Sequence, residues 1–125
     1  MYADFEYYSQ TYRGEMPQEE AVKALKQASR HINSLTFNRI VGKGFENLTT
    51  FQQGIIKECV CMMADFESAN GDMINSLINS YSINGASIAF GGEDANYALV
   101  GGIIVQRDTY SYLEQTGLTS RNLGV

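Results

Sequence analysis

Glu58, Cys61 and Asp65 stand at i, i+3 and i+7 of one stretch with helical apolar spacing, so a helix there would align two carboxylates and a thiol. Such a set could move protons, present a nucleophile or begin a metal site. Each of those chemistries needs a further histidine or carboxylate from a second element, and no motif supplies one. His31, the single histidine, has no cysteine or carboxylate at ligand spacing on its own helix and reads as a surface or boundary residue. Cys59 and Cys61 lie about 200° apart round a helix, so they can neither bridge each other nor share a metal, and they read as core and near-core thiols. Gly42-Lys43-Gly44 lacks both the earlier glycine and the following Ser or Thr of a phosphate loop. The Glu58, Cys61, Asp65 set is therefore expected to be a polar face, and the chain is expected to be no enzyme and to use no metal or cofactor.

The element that carries this face runs from Leu48 to Ala69. Thr49 and Gln52 form a capping box, in which each side chain satisfies a backbone donor left open at a helix start. Phe51, Ile55, Cys59, Met62 and Phe66 share one side, and Ile56, Val60 and Met63 widen it to about half the circumference. A helix so broadly apolar needs cover on two sides. The expectation is a mainly α fold, a small helical bundle around a central helix at about 49–69.

Upstream, Asp4 is placed to cap a short helix with Phe5, Tyr8 and Tyr12 on one face, an aromatic clamp on the bundle or a tyrosine-rich interface. Pro17 suits a first helical position, and Ala21, Leu25, Ala28, Ile32 and Leu35 predict a helix over about 17–36. Phe37 to Ile40 leads off it, and 41–45 reads as a loop. Asn47-Leu48-Thr49 fits a glycosylation sequon but serves here as the approach to the helix cap. Downstream, Asn70-Gly71-Asp72 ends or bends the central helix, with Asp72 capping a short extra turn through Met73 to Ile78. Tyr81, Ile83, Ile88 and Phe90, spaced around Asn84-Gly85, predict one projecting β-hairpin at about 80–90, which is too small to stand alone and leans on its own bundle or forms an interface with a neighbouring chain. Tyr97 to Val105 is apolar, but the Gly101-Gly102 break leaves its state open. Asp108 is expected to cap a short C-terminal helix at about 108–116, stopped by Gly117, with Leu118 folding back on Leu113. Residues 119–125 read as a tail.

The 125 residues suffice for one domain spanning 1–125, and 44% apolar content argues against disorder. No apolar run is long enough to span a bilayer, and the start resembles no signal peptide, so a cytosolic protein without a membrane is expected. The net charge of -5 disfavours nonspecific binding to nucleic acid. Glu19 to Lys57 holds six basic and three acidic residues, whereas Glu58 to Gln106 holds six acids and no Lys or Arg. That asymmetry fits copies meeting side to side, or an unevenly charged solvated surface.

Ala28-Ser-Arg-His-Ile-Asn-Ser-Leu-Thr-Phe-Asn-Arg-Ile40, Leu48-Thr-Thr-Phe-Gln52 with Ile56-Lys57 and Ala64-Asp65, Ser80-Tyr-Ser-Ile-Asn-Gly-Ala-Ser-Ile88, and Tyr110 with Leu113-Glu-Gln-Thr-Gly-Leu118 and Arg121 together resemble the head-tail connector (adaptor) proteins of long-tailed bacteriophages. The resemblance covers nearly the whole chain in order. It implies a homo-oligomeric ring, usually of about twelve copies, in the neck of the virion after assembly in the host cytoplasm. One end would grip the portal protein through the C-terminal segment, with Leu118 and Leu123 as apolar anchors and Arg121 as a fork of donors. The other end would receive a stopper or tail-completion protein, and DNA would pass through the middle without specific binding. The stretch from Gly91 to Gly102 departs from the pattern, being longer and richer in glycine. The competing reading is a small acidic helical protein-binding module or regulator, which would be a monomer or dimer rather than a ring.

Overall fold

The computed structural model describes residues 1–84 and 96–120, and of 80–84 only the backbone. Asp4 starts the fold as its position predicts: its carboxylate accepts the Tyr7 N–H at 2.8 Å and its carbonyl the Tyr8 N–H at 3.0 Å. A π-helical turn, Tyr7–Thr11, follows. The first long helix, α1, is Gln18–Leu35. Pro17 lies one position before it, because a ψ of 154° holds that residue extended while its carbonyl accepts the Ala21 N–H at 2.8 Å. Ala21, Leu25, Ala28, Ile32 and Leu35 are all buried along one face. Phe37 and Asn38, at φ 56° and 58°, end the helix in the left-handed region, with the Asn38 N–H on the Asn33 carbonyl at 2.8 Å. The segment expected to be a loop then makes a five-residue helix, α2 (Arg39–Lys43), before a 3-10 turn at Phe45–Asn47.

The central helix, α3, is Thr50–Ala69, and both halves of its capping box are present at 3.0 Å. Ile55, Ile56, Cys59, Val60, Met63 and Phe66 are buried. Phe51 is not. It stays 62% exposed.

Two expectations for the next segment are corrected. A full helix, α4 (Gly71–Asn84), replaces the short extra turn, and Asp72 lies inside its first turn rather than capping it. Tyr81, Ile83 and Asn84 belong to its helical backbone, so no strand starts at 80; Gly85, Ile88 and Phe90 lie outside the described residues. The physical reason is that Met73, Ile74, Leu77, Ile78 and Tyr81 continue a helical period, which outweighs the apparent alternation at 81 and 83. The hairpin falls further on. Strands β1 (Tyr97–Val100) and β2 (Ile103–Gln106) pair antiparallel with Tyr97 opposite Gln106 and Val100 opposite Ile103. Gly101 and Gly102, at φ 57° and 82°, form the two-residue turn whose left-handed backbone matches the strand twist.

This hairpin does not project. Side chains alternate across a strand, and here both faces are covered. Val100, Ile103 and Val105 pack on the main core around α1, α3 and the last helix, while Tyr97, Leu99 and Ile104 pack with Phe66 and with Met73, Ile74, Leu77 and Ile78 of α4. That last helix, α5, is Arg107–Glu114. Asp108 sits in its first turn and makes no cap, since α5 begins directly from the end of β2, with the Arg107 N–H on the Asn96 carbonyl at 2.7 Å. Gly117, at φ 78°, stops the chain as expected, and Leu118 rests on the core that holds Leu113. The result is a mainly helical bundle with one two-stranded antiparallel hairpin, and none of its helices among the described residues is long and apolar enough to cross a membrane.

A pair of substitutions tests the placement of α3. Ile55→Asp buries an unpaired charge at a site 2% exposed, at a cost of several kcal/mol against a total stability of roughly 5–15 kcal/mol. It should abolish the cooperative thermal transition seen by circular dichroism. Phe51→Asp, one turn earlier, should leave that transition in place, and matching losses in the two variants would contradict the orientation of α3.

Candidate functional site

The face of Glu58, Cys61 and Asp65 is not a solvated polar stripe. The N-terminal turn lies across it: the Tyr7 hydroxyl donates to Glu58 Oε2 at 3.3 Å and the Tyr8 hydroxyl to Asp65 Oδ1 at 2.6 Å. Tyr8 is fully buried, and its oxygen also accepts the Met16 N–H at 3.1 Å. The Tyr8 ring stacks on Tyr12 at 5.6 Å and lies so close under Gly14 that a Cβ there would come within 2.0 Å of it. The aromatic clamp therefore gives α3 apolar cover and two donors at once, which only tyrosine can do here.

Its chemistry is that of protonated groups held in place. Cys61 is buried and its thiol is pushed up to about 12, first by burial and then by Glu58 and Asp65. Cys59 is also pushed up to about 12 by burial and by Glu58, and its thiol donates to the Thr109 carbonyl at 3.6 Å. Neither thiol supplies the thiolate that nucleophilic or metal chemistry uses at neutral pH. Tyr7 is raised to about 12 by burial and then by Glu58, and Tyr12 is raised by burial and by Asp65. Among the described residues no group of three His, Cys, Asp or Glu is placed to hold a metal.

His31 has a partner that its own helix could not reveal. Its Nδ1 meets Glu67 Oε2 of α3 and ties α1 to the central helix, with the Glu67 side chain only 9% exposed. Spacing along one helix carries no sign of this contact, because residues 36 apart come together only once two helices pack.

A second region gathers at the end of the bundle where α1 stops and α3 starts. Phe37, Val41 and Phe51 are 51%, 62% and 62% exposed there. The Arg39 guanidinium lies 4.9 Å over the Phe37 ring and donates to the Leu118 carbonyl at 3.0 Å. The capping residue Gln52 donates to the Thr116 carbonyl at 3.0 Å. Of the expected portal-contact residues, Leu118 is thus half-buried and anchored at this end, whereas Arg121 and Leu123 lie outside the described residues. Of the expected interface hairpin, Tyr81, Ile83 and Asn84 belong to the helical backbone of α4, and Gly85, Ile88 and Phe90 lie outside the described residues. Helical period puts Phe51 on the apolar side of α3, and Phe37 and Val41 read only as connecting residues; the two consecutive left-handed residues at 37 and 38 leave no composition signal. No family model, curated protein or solved structure matches this chain.

The raised thiols and phenols fix the sign of an alkaline dependence. An acid whose folded pKa exceeds its unfolded value keeps its proton in the fold and loses it in the unfolded chain. The unfolded state then binds fewer protons, and stability falls as pH rises. The Cys59 and Cys61 stabilisation is complete below the ordinary thiol value of 9.0 and is lost as pH rises toward about 12, with Tyr7 joining above 10.0. Urea midpoints should hold steady from about pH 7 to about pH 8 and decline progressively above about pH 9. A flat profile through about pH 11 would contradict the burial of these groups.

Proposed function

We propose that this chain is a ring-forming structural subunit of a bacteriophage neck, seated between the capsid portal and a stopper or tail-completion protein, with DNA as a passing guest. The ordered resemblance along the chain supports the reading. The structural observation that carries it is Phe37. A bulky residue in the left-handed region costs about 1–2 kcal/mol relative to glycine, yet this position holds an aromatic ring that is half exposed. Strain kept at an exposed aromatic suits a contact surface.

Val41 and Phe51 extend that surface, and the Arg39 and Gln52 side chains hold the carbonyls of Leu118 and Thr116 beside it. Leu118 therefore sits at the same end of the bundle as the exposed rings, which suits a portal contact made of both; Arg121 and Leu123, the other expected contacts, come after it in the sequence. The net charge of -5 suits a channel through which DNA slides, since a lumen that bound phosphates would retain it.

Thr119 is buried, so the informative truncation removes only 121–125. That variant should fold normally and fail to co-sediment with purified portal-bearing, tail-less heads, and Arg121→Ala should weaken attachment in part. Phe37→Asn should melt at or above the parent, by up to about 1 kcal/mol, because asparagine tolerates the left-handed backbone, and should also bind heads less well. Undiminished binding by both the truncation and Phe37→Asn would place the portal contact elsewhere.

A further inference from the structure

Charge along the sequence and charge on the surface differ in this molecule. Of the acids in the Glu58 to Gln106 segment, Glu58 and Asp65 lie under the tyrosine clamp and Glu67 is engaged by His31. Asp72 stays exposed at the start of α4, and the denser acidic surface among the described residues is N-terminal. Asp4, Glu6 and Glu15 are exposed on the clamp, and Glu19 and Glu20 are exposed beside it, against two cations, Arg13 and Lys57, the latter held 5.4 Å over the Tyr7 ring. Within this face an open cleft of about 640 Å³ is lined by Tyr8, Tyr12, Glu15, Glu20 and Asp65, with one cation, Arg13, among its lining residues. Aromatic faces and carboxylates together suit the head of a long cationic side chain.

The basic surface begins one turn past Glu19, along the outer stripe of α1. Lys23, Lys26 and Arg30 are exposed on α1, opposite its buried Ala21, Leu25, Ala28 and Ile32. Neither Lys26 nor Arg30 pairs with a carboxylate among the described residues. They are one turn apart, about 6 Å along the axis, so they can engage one acidic surface together. Two complementary patches at different places on one chain favour head-to-tail association, in which each copy gives one patch and receives the other.

We propose that the outer stripe of α1 in one copy docks on the acidic N-terminal face of the next, with Lys26 or Arg30 entering the cleft walled by Tyr12 and Asp65. The proposal rests on the ring reading above and names the subunit contact within it. Two variants test it: Lys26→Glu with Arg30→Glu, which leaves a chain with two acidic faces, and Glu6→Lys with Glu15→Lys, which leaves two basic ones. All four positions are exposed, so both variants should keep the parent's circular dichroism. Assembly is read by sedimentation velocity in low salt, and by the number of copies bound to portal-bearing heads. Each variant alone should lose assembly, an equimolar mixture should regain it, and raised salt should dissolve the parent assembly without any substitution. If the parent assembles and the folded variants assemble equally well, or their mixture stays dissociated, this contact is wrong while the ring stands. If the parent is monomeric both in solution and on heads, the ring reading fails and this contact with it.

Discussion

The structure depends on how the central helix is covered. α3 meets α1 through Glu67 and Ser68, α5 and its C-terminal turn through Cys59 and Gln52, and the N-terminal turn through Glu58 and Asp65. Those contacts leave from three sides of the helix, and the third side carries carboxylates. An apolar cover there would strand buried charge, at a cost of kcal/mol per group. A fully polar cover would forgo the apolar burial that holds a small domain together. Tyr7, Tyr8 and Tyr12 meet both demands, and the tight approach of Gly14 to the Tyr8 ring shows how closely the N-terminal segment is fitted to that task.

The same constraint decides what the outside of the molecule offers. Glu58, Asp65 and Glu67 are turned onto tyrosines and His31, while the N-terminal clamp and the outer stripe of α1 each carry several exposed charges. The hairpin and α4 are arranged by a parallel argument. A strand pair apolar on both faces needs a layer on each side, and α4 supplies the second layer through Met73, Ile74, Leu77 and Ile78. What remains exposed and apolar is concentrated at Phe37, Val41 and Phe51, beside the anchored C-terminal turn.

Local signals in the sequence carried over well. The Thr49–Gln52 box, the α1 stripe, the Asp4 cap and the Gly117 stop each rest on residues within a turn of one another, and each is present. Errors came where two local signals competed or where the answer lay in packing. Asn84-Gly85 is a strong turn dipeptide, but the helical period from Met73 to Tyr81 carries α4 through Asn84. Gly101-Gly102 looked like an interruption because the flanking strands lack alternation, and they lack it because both of their faces are buried. Phe51 matched the apolar face of α3 in period but not in cover. The contacts of Glu58, Asp65 and His31 join residues 51, 57 and 36 positions apart, beyond any periodicity.

On the proposed reading, the chain is a ring subunit whose exposed surfaces serve contact. Electron microscopy of the protein bound to portal-bearing, tail-less heads tests that most directly. A ring with a central hole, coaxial with the portal at a single vertex, is the predicted image. Heads whose portal vertex is bare, or that carry isolated copies without a ring, would contradict the account.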